Sequence, residues 1–220
     1  MIECNTAIAQ EGMHGDYGAN IGKVIAIRKD LPSLLKAYAA AGSDARMNGC
    51  ELPVVINSGS GNQGLTVSVP LIIYAEREHL DKEKLYRALV ISNLTAIHLK
   101  TEIGRLSAFC GAVSAGAACG AGLAYLKDAS EEVMNHTIVN ALAITSGIIC
   151  DGAKASCAAK IAVSVEAGIL GYDMYMNGQQ FYGGDGIISK GIENTIHNIG
   201  VLGSQGMAST DQEIIKIMCE

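Results

Sequence analysis

The chain has 220 residues and a formal net charge of −6. An acidic chain lacks the basic face that a phosphate backbone calls for, which argues against nucleic acid as a partner. Hydrophobic residues make up 49 % and charged residues 17 %, with 26 Gly, two Phe and no Trp; the core material is mostly Ala, Gly, Ile, Val and Leu, so tight helix packing with little room for an apolar ligand is expected.

The opening Met1-Ile-Glu-Cys-Asn-Thr-Ala has neither the basic start nor the apolar run of an export signal, which predicts a cytoplasmic protein. In that setting the seven cysteines read as thiols or metal ligands and not as disulfides. Residues 1 to 22 carry four Gly among polar residues and predict a loop with at most one short helix. Lys29 to Met47 starts with Asp30 as a candidate N-cap and places Leu34, Leu35, Tyr38 and Ala41 at helical spacing. Leu52 to Ile56 and Leu65 to Ile73 are the two candidate strands, separated by Asn57-Ser-Gly-Ser-Gly-Asn-Gln-Gly64.

Asp81 to Lys100 predicts an amphipathic helix with Leu85, Leu89, Ser92 and Ala96 on one side. From Leu106 to Leu126 no residue is charged, long enough to span a bilayer. Its Ala, Gly, Ser and Cys contribute little transfer energy, so a buried helix in a protein without membrane contact is the expectation. Ser130 caps a further helix that ends near Cys150-Asp-Gly, and Lys154 to Met174 predicts another. A glycine-rich loop, Asn177 to Gly186, precedes two last helices, Gly186 to Leu202 and Thr210 to Met218. The fold class expected is mainly α: a single compact multi-helix domain over residues 1–220, packed through small residues.

Two features carry candidate chemistry. Cys150 and Cys157 flank an Asp-Gly-Ala-Lys turn between apolar helices, a setting in which helix-end N–H groups and a lysine favour a thiolate. Cys110 lies in a small-residue run, where a cysteine also serves as a small buried hydrophobe. None of these forms a Cys-x-x-Cys pair, and the spacing fits neither a zinc ribbon nor a ferredoxin pattern.

The second feature is the glycine-rich loop, whose Gly59, Gly61 and Gly64 spell G-x-G-x-x-G. A dinucleotide site needs a strand before it, a helix after it and an acidic residue closing the next strand; here Pro70 follows closely, and Asp81 and Glu83 open a helix. What the loop offers is free backbone N–H groups with Asn, Ser and Gln side chains for a small anion; a surface turn is the alternative. Arg46 could clamp a carboxylate or form a surface ion pair. His98 is a candidate base or a partly buried helix residue, and Asp151 and Lys154 are candidates for proton transfer or for capping the turn.

Ser43-Asp-Ala-Arg-Met, Asn57-Ser-Gly-Ser-Gly-Asn-Gln-Gly, Arg105-Leu-Ser-Ala and Ile149-Cys-Asp-Gly-Ala-(x)₃-Cys-Ala together resemble the L-cysteine desulfidase family. That family is related to the α chains of iron–sulfur L-serine dehydratases, and Cys4-(x)₅-Gln-Glu-Gly and the tail from Thr210 are similar too. The resemblance implies a [4Fe–4S] cluster with Cys110, Cys150 and Cys157 as ligands and one iron open to substrate. It implies α,β-elimination from L-cysteine to pyruvate, ammonia and sulfide, with L-serine as the alternative substrate. Arg46, Asn57, Ser58, Gly59, Ser60, Gly61, Asn62, Gln63 and Gly64 would then bind the small amino acid, and Asp151 or Lys154 would be the catalytic candidates. Family members are about twice as long, and the Gly-Cys-Thr-Glu-Pro motif of their N-terminal half is missing here. The resemblance therefore reads this chain as the C-terminal half, requiring the other half in cis or as a second chain. Ala/Gly-rich faces left by that half would favour association, a homo-oligomer included. A non-catalytic helical module from a split gene is the competing reading of a different class.

Overall fold

The computed structural model describes residues 1–104 and 106–220, and among these it is built from helices alone. Ten α-helices follow in order: α1 (Ile2–His14), α2 (Ile21–Ala26), α3 (Leu31–Met47), α4 (Gly61–Arg77), α5 (Lys82–Ile103), α6 (Gly111–Leu126), α7 (Glu131–Thr145), α8 (Cys157–Met176), α9 (Ile192–Val201) and α10 (Ala208–Cys219). A five-residue π-turn, Leu202–Gly206, joins the last two. Several starts follow from capping chemistry, in which a side-chain oxygen takes up an N–H that the first turn leaves free. Asp30 accepts from the Ser33 N–H at 2.8 Å, Asp81 from Lys84 at 2.9 Å and Ser130 from Val133 at 3.4 Å.

The uncharged α6 is the axis of the fold, in contact with α4, α5, α7 and α8. Its small residues are there because neighbours come too close for side chains. A Cβ on Gly116 would lie 2.3 Å from the Ser164 carbonyl oxygen of α8, and one on Gly120 would lie 2.8 Å from the Gly168 Cα. α6 occupies only part of the uncharged stretch, and no helix among the described residues is long and apolar enough to cross a membrane. The Ala/Gly faces are consumed inside the chain. The exposed apolar side chains lie elsewhere, notably Tyr86, Val90, Leu94 and Ile97 along α5.

The sequence expectations need four corrections. Residues 1 to 22 are mostly helical, because Gly12 lets α1 approach α3 until a Cβ would meet the Ala41 carbonyl oxygen at 2.0 Å. Neither candidate strand exists: Leu52–Ile56 is irregular, and Leu65–Ile73 belongs to α4, which continues through Pro70. Every residue from Gly61 to Ile73 is buried, so the Leu65–Ile73 run has no face turned to solvent and reads as readily as a buried strand. The glycine-rich loop extends to Gly191, so α9 begins at Ile192 and not at Gly186. Residues 106–110 and 154–156 are also outside the helices that follow them, and both segments contribute to the cavity described next.

Candidate functional site

Three helix starts and two helix ends converge on a single cavity of about 310 Å³. Its first wall comes from a backbone clamp between distant segments. Phe109 and Ile149 form an isolated antiparallel bridge, Cys110 donates its N–H to the Ile148 carbonyl at 3.1 Å, and Cys150 donates to Ala108 at 2.6 Å. The clamp sets Cys110, the N-cap of α6, beside Cys150. The Asp151–Ser156 turn then carries the chain to Cys157 at the start of α8, whose thiol lies 3.6 Å from the Gly152 carbonyl oxygen. All three thiols are free and line the cavity.

The second wall is the Asn57–Ser60 turn leading into α4. Asn57 and Ser60 exchange N–H···O bonds at 3.1 and 3.0 Å, with Ser58 and Gly59 both in the left-handed region, as a tight two-residue turn demands. Ser60 caps α4 by accepting from the Gln63 N–H at 3.4 Å. Asn57 ties the turn to α5 through the Asn93 carbonyl and side chain, and the buried Asn5 of α1 holds Val55 and Gly64. Gly64 is a packing residue, since a Cβ there would lie 2.0 Å from the Val55 carbonyl oxygen; one on Gly61 would lie 2.3 Å from Arg46 Nε. The three glycines are thus a turn and a close helix approach, with no strand beside them, and a dinucleotide site is ruled out on that geometry.

Arg46, in the last turn of α3, donates from Nη1 to Asn62 Oδ1 at 3.2 Å and lines the cavity. It forms no ion pair among the described residues. Ser58, Gly59, Ser60, Asn62 and Gln63 line the same space, whereas Asn57 and Gly64 support it from behind. Asp151 is bonded to Lys160 Nζ, and this bond holds its carboxyl below the ordinary carboxylate range. Lys154 is exposed and is not a lining residue. His98 lies outside altogether, pairing with Glu193 at 2.8 Å across α5 and α9. Arg105 falls outside the described residues.

Two lysines that sequence reasoning passed over complete the cavity: Lys100 and Lys160. The available signal for Lys100 was its register, because it continues the Leu85, Leu89, Ser92, Ala96 stripe as a charge on a buried face. Burial pulls its ammonium pKa down, against the opposing pull of Cys150 and Cys110. For Lys160 burial acts downward too, but the bond to Asp151 and the nearby charge outweigh it and leave the pKa raised. Burial pushes the Cys110 thiol up, and the Ala112 N–H works the other way. Cys119 is fully buried within α6, away from the cavity, and its thiol is pushed far up by burial alone.

Among the described residues no Asp or Glu lines the cavity, although the chain as a whole is acidic. A site with Arg46, Lys100 and Lys160 around three thiols suits an anionic occupant. Among the described residues no three His, Cys, Asp or Glu side chains are grouped to hold a single metal ion. Iron–sulfur clusters take thiolate donors, commonly four, and this cavity offers three free thiols. A larger groove of about 660 Å³ between the start of α1 and α5 is lined mainly by apolar residues such as Ile2, Leu85 and Val90, and gathers no such set.

The family model described as serine dehydratase alpha chain matches residues 1–216. A UPF0597 protein of Desulfitobacterium hafniense is 64 % identical over 99 % of this chain and 51 % of its own length. UPF0597 proteins of Lachnoclostridium phytofermentans and of a Shewanella species are 54 % and 42 % identical, each over 99 % of this chain and 52 % and 53 % of their own lengths. The chain thus spans about half the length of the curated relatives it matches. No solved structure matches it.

Proposed function

The chain belongs to the serine dehydratase alpha chain family, and from that premise we propose that it forms part of an iron–sulfur lyase acting on a small amino acid, with L-cysteine as substrate and pyruvate, ammonia and sulfide as products. The observation that carries this reading is the convergence of Cys110, Cys150, Cys157, Arg46 and the Ser58–Gln63 loop on one acid-free cavity.

Cys110, Cys150 and Cys157 would hold a [4Fe–4S] cluster, which when bound supplies a Lewis-acidic iron toward the leaving sulfur. Arg46 offers its guanidinium to the substrate carboxylate, and the α4 N-terminus adds free N–H groups at Gly61 and Asn62 beside it. Fixing the carboxylate on these elements sets the Cα–H and the Cβ substituent in one orientation, which is where positioning lowers a barrier. Loss of the Cα proton and the Cβ sulfur gives aminoacrylate and sulfide; tautomerisation and addition of water release pyruvate and ammonia. Asp151 is engaged by Lys160 and serves this scheme by keeping that cation charged at the cavity wall.

The chain spans about half the length of the curated relatives it matches, so on this reading the full reaction would need the remaining portion, in cis or as a second chain. The family description favours a second reading, deamination of L-serine, because the same elimination releases hydroxide in place of sulfide. The test is anaerobic reconstitution of the chain with iron and sulfide, with and without the portion of the Desulfitobacterium hafniense relative that it does not cover. Iron binding with sulfide and pyruvate released from L-cysteine supports the proposal. Turnover of L-serine alone moves the assignment to the dehydratase. Absence of iron with both portions present leaves a non-catalytic helical module.

A further inference from the structure

We propose that Lys100 positions the substrate carboxylate together with Arg46, while the side-chain oxygen of Gln63 receives the substrate ammonium, so that the cavity reads an amino acid by both of its charges. This rests on the amino-acid reading given above and adds to it the polarity of binding.

Lys100 is only 5 % exposed, yet it has no ion-pair partner among the described residues. An ammonium taken out of water without a counter-charge is costly to keep. α5 has an outer face that would accept a lysine freely, since Ile97, His98, Thr101 and Glu102 around it are exposed. Lys84, on the same helix, has its own partner in Asp128 at 2.7 Å. A buried, unpaired lysine at a cavity with no acidic wall points to a negative charge delivered by what binds there. Arg46, partly buried on α3 and bonded to the neutral Asn62, likewise has no ion-pair partner among the described residues, and Lys160 is already matched by Asp151. Two cations from two helices therefore face the cavity without acidic partners.

Gln63 supplies the opposite requirement. It is 6 % exposed, lines the cavity in the first turn of α4, and its Oε1 is buried without a donor among the described residues. Gly111 leaves room for this amide, because a Cβ there would meet it at 2.6 Å. An unfilled acceptor on a wall that otherwise carries unmatched cations is the complement of a zwitterion. The thiols offer an alternative partner for Lys100, and the experiment separates the two.

The full chain, reconstituted anaerobically with iron and sulfide together with the uncovered portion of the relative, is titrated calorimetrically with three unreactive probes. L-Alanine carries both charges, ethylamine lacks the carboxylate and propionate lacks the ammonium. Wild type should prefer L-alanine to ethylamine, and Lys100→Met should reduce that preference by about tenfold, the worth of one charge-assisted bond. The preference of L-alanine over propionate should stay within about twofold in that variant, and Lys100→Arg should restore most of the loss. Lys100→Gln is expected to behave as Met does and serves if Met is not tolerated in the core. Gln63→Leu should reduce the preference over propionate instead. An L-alanine-to-ethylamine preference unchanged in the Lys100 variants overturns the proposal, the more clearly if their iron content falls, since the lysine then balances thiolates. A wild type that ignores all three probes overturns the amino-acid reading and this proposal with it.

Discussion

Cys150 donates its backbone N–H to the Ala108 carbonyl at 2.6 Å, so the segment entering α6 and the segment leaving α7 lie side by side where their cysteines face the cavity. That contact makes the position of two thiols a property of the tertiary fold and not of either helix.

The three cavity cysteines should therefore act as a set. Cys110→Ala, Cys150→Ala and Cys157→Ala should each lower bound iron per chain after anaerobic reconstitution, while Cys119→Ala should leave it unchanged. Cys119 is sealed inside α6, and its truncation should cost only on the order of 1 kcal/mol in unfolding free energy. Iron counting and urea unfolding on the four variants check both halves of this expectation.

Two glycines of one motif should respond differently to alanine. At Gly64 the new Cβ meets the Val55 backbone at 2.0 Å, so roughly 1–3 kcal/mol of stability should be lost. At Gly61 it meets the movable end of Arg46, so stability should change little while the guanidinium is displaced. Gly61→Ala should thus raise KM for the amino acid at nearly unchanged Tm, and Gly64→Ala should lower Tm.

Asn5 is buried in α1 and bonds Val55 in both directions, as well as Gly64 and Ser68. Removing it leaves several buried polar groups without partners, at about 1–3 kcal/mol for each group left stranded. Asn5→Ala should destabilise the chain by at least one such increment in urea unfolding, and should loosen the turn ahead of α4. Faster amide exchange at Val55 and Asn57 than in wild type would report the second effect.

Asp44 gives the chain a signature in mild acid. It is 1 % exposed, accepts from the Gly22 N–H at 3.0 Å, and burial raises its pKa above the ordinary 3.8. As pH falls, the folded chain takes up this proton before the unfolded chain does, so the Asp44 contribution to stability rises as pH drops through the folded pKa and is complete below the unfolded value. Asp44→Asn should abolish that rise while keeping an acceptor for Gly22. Unfolding free energies of the two proteins at a series of pH values between neutral and the carboxylate range check it.

The contrast between α3 and α4 shows what sequence can reveal. α3 was legible because Asp30 caps it and part of one face meets solvent, which leaves an apolar period to read. α4 was not, because its first three turns are buried on every side and a mostly apolar run with a proline in it reads as readily as a buried strand. The cavity divides the same way. Cys150 and Cys157 share one turn, so their proximity is local and readable. Cys110 joins them through a long-range bridge, and Lys100 through the rotation of a helix whose other charges are solvated. The motif resemblance brought out the cysteines and the loop; the two lysines had no motif to speak for them.

The Phe109–Ile149 bridge also ties the cavity to the stability of the chain. Its partners belong to segments flanking α6 and α7, so the three-thiol wall is present where those helices are packed and is lost with them on unfolding. By linkage, an occupant that binds this wall and not the unfolded chain stabilises the fold, so that filling the cavity and holding α6 against α7 become one equilibrium.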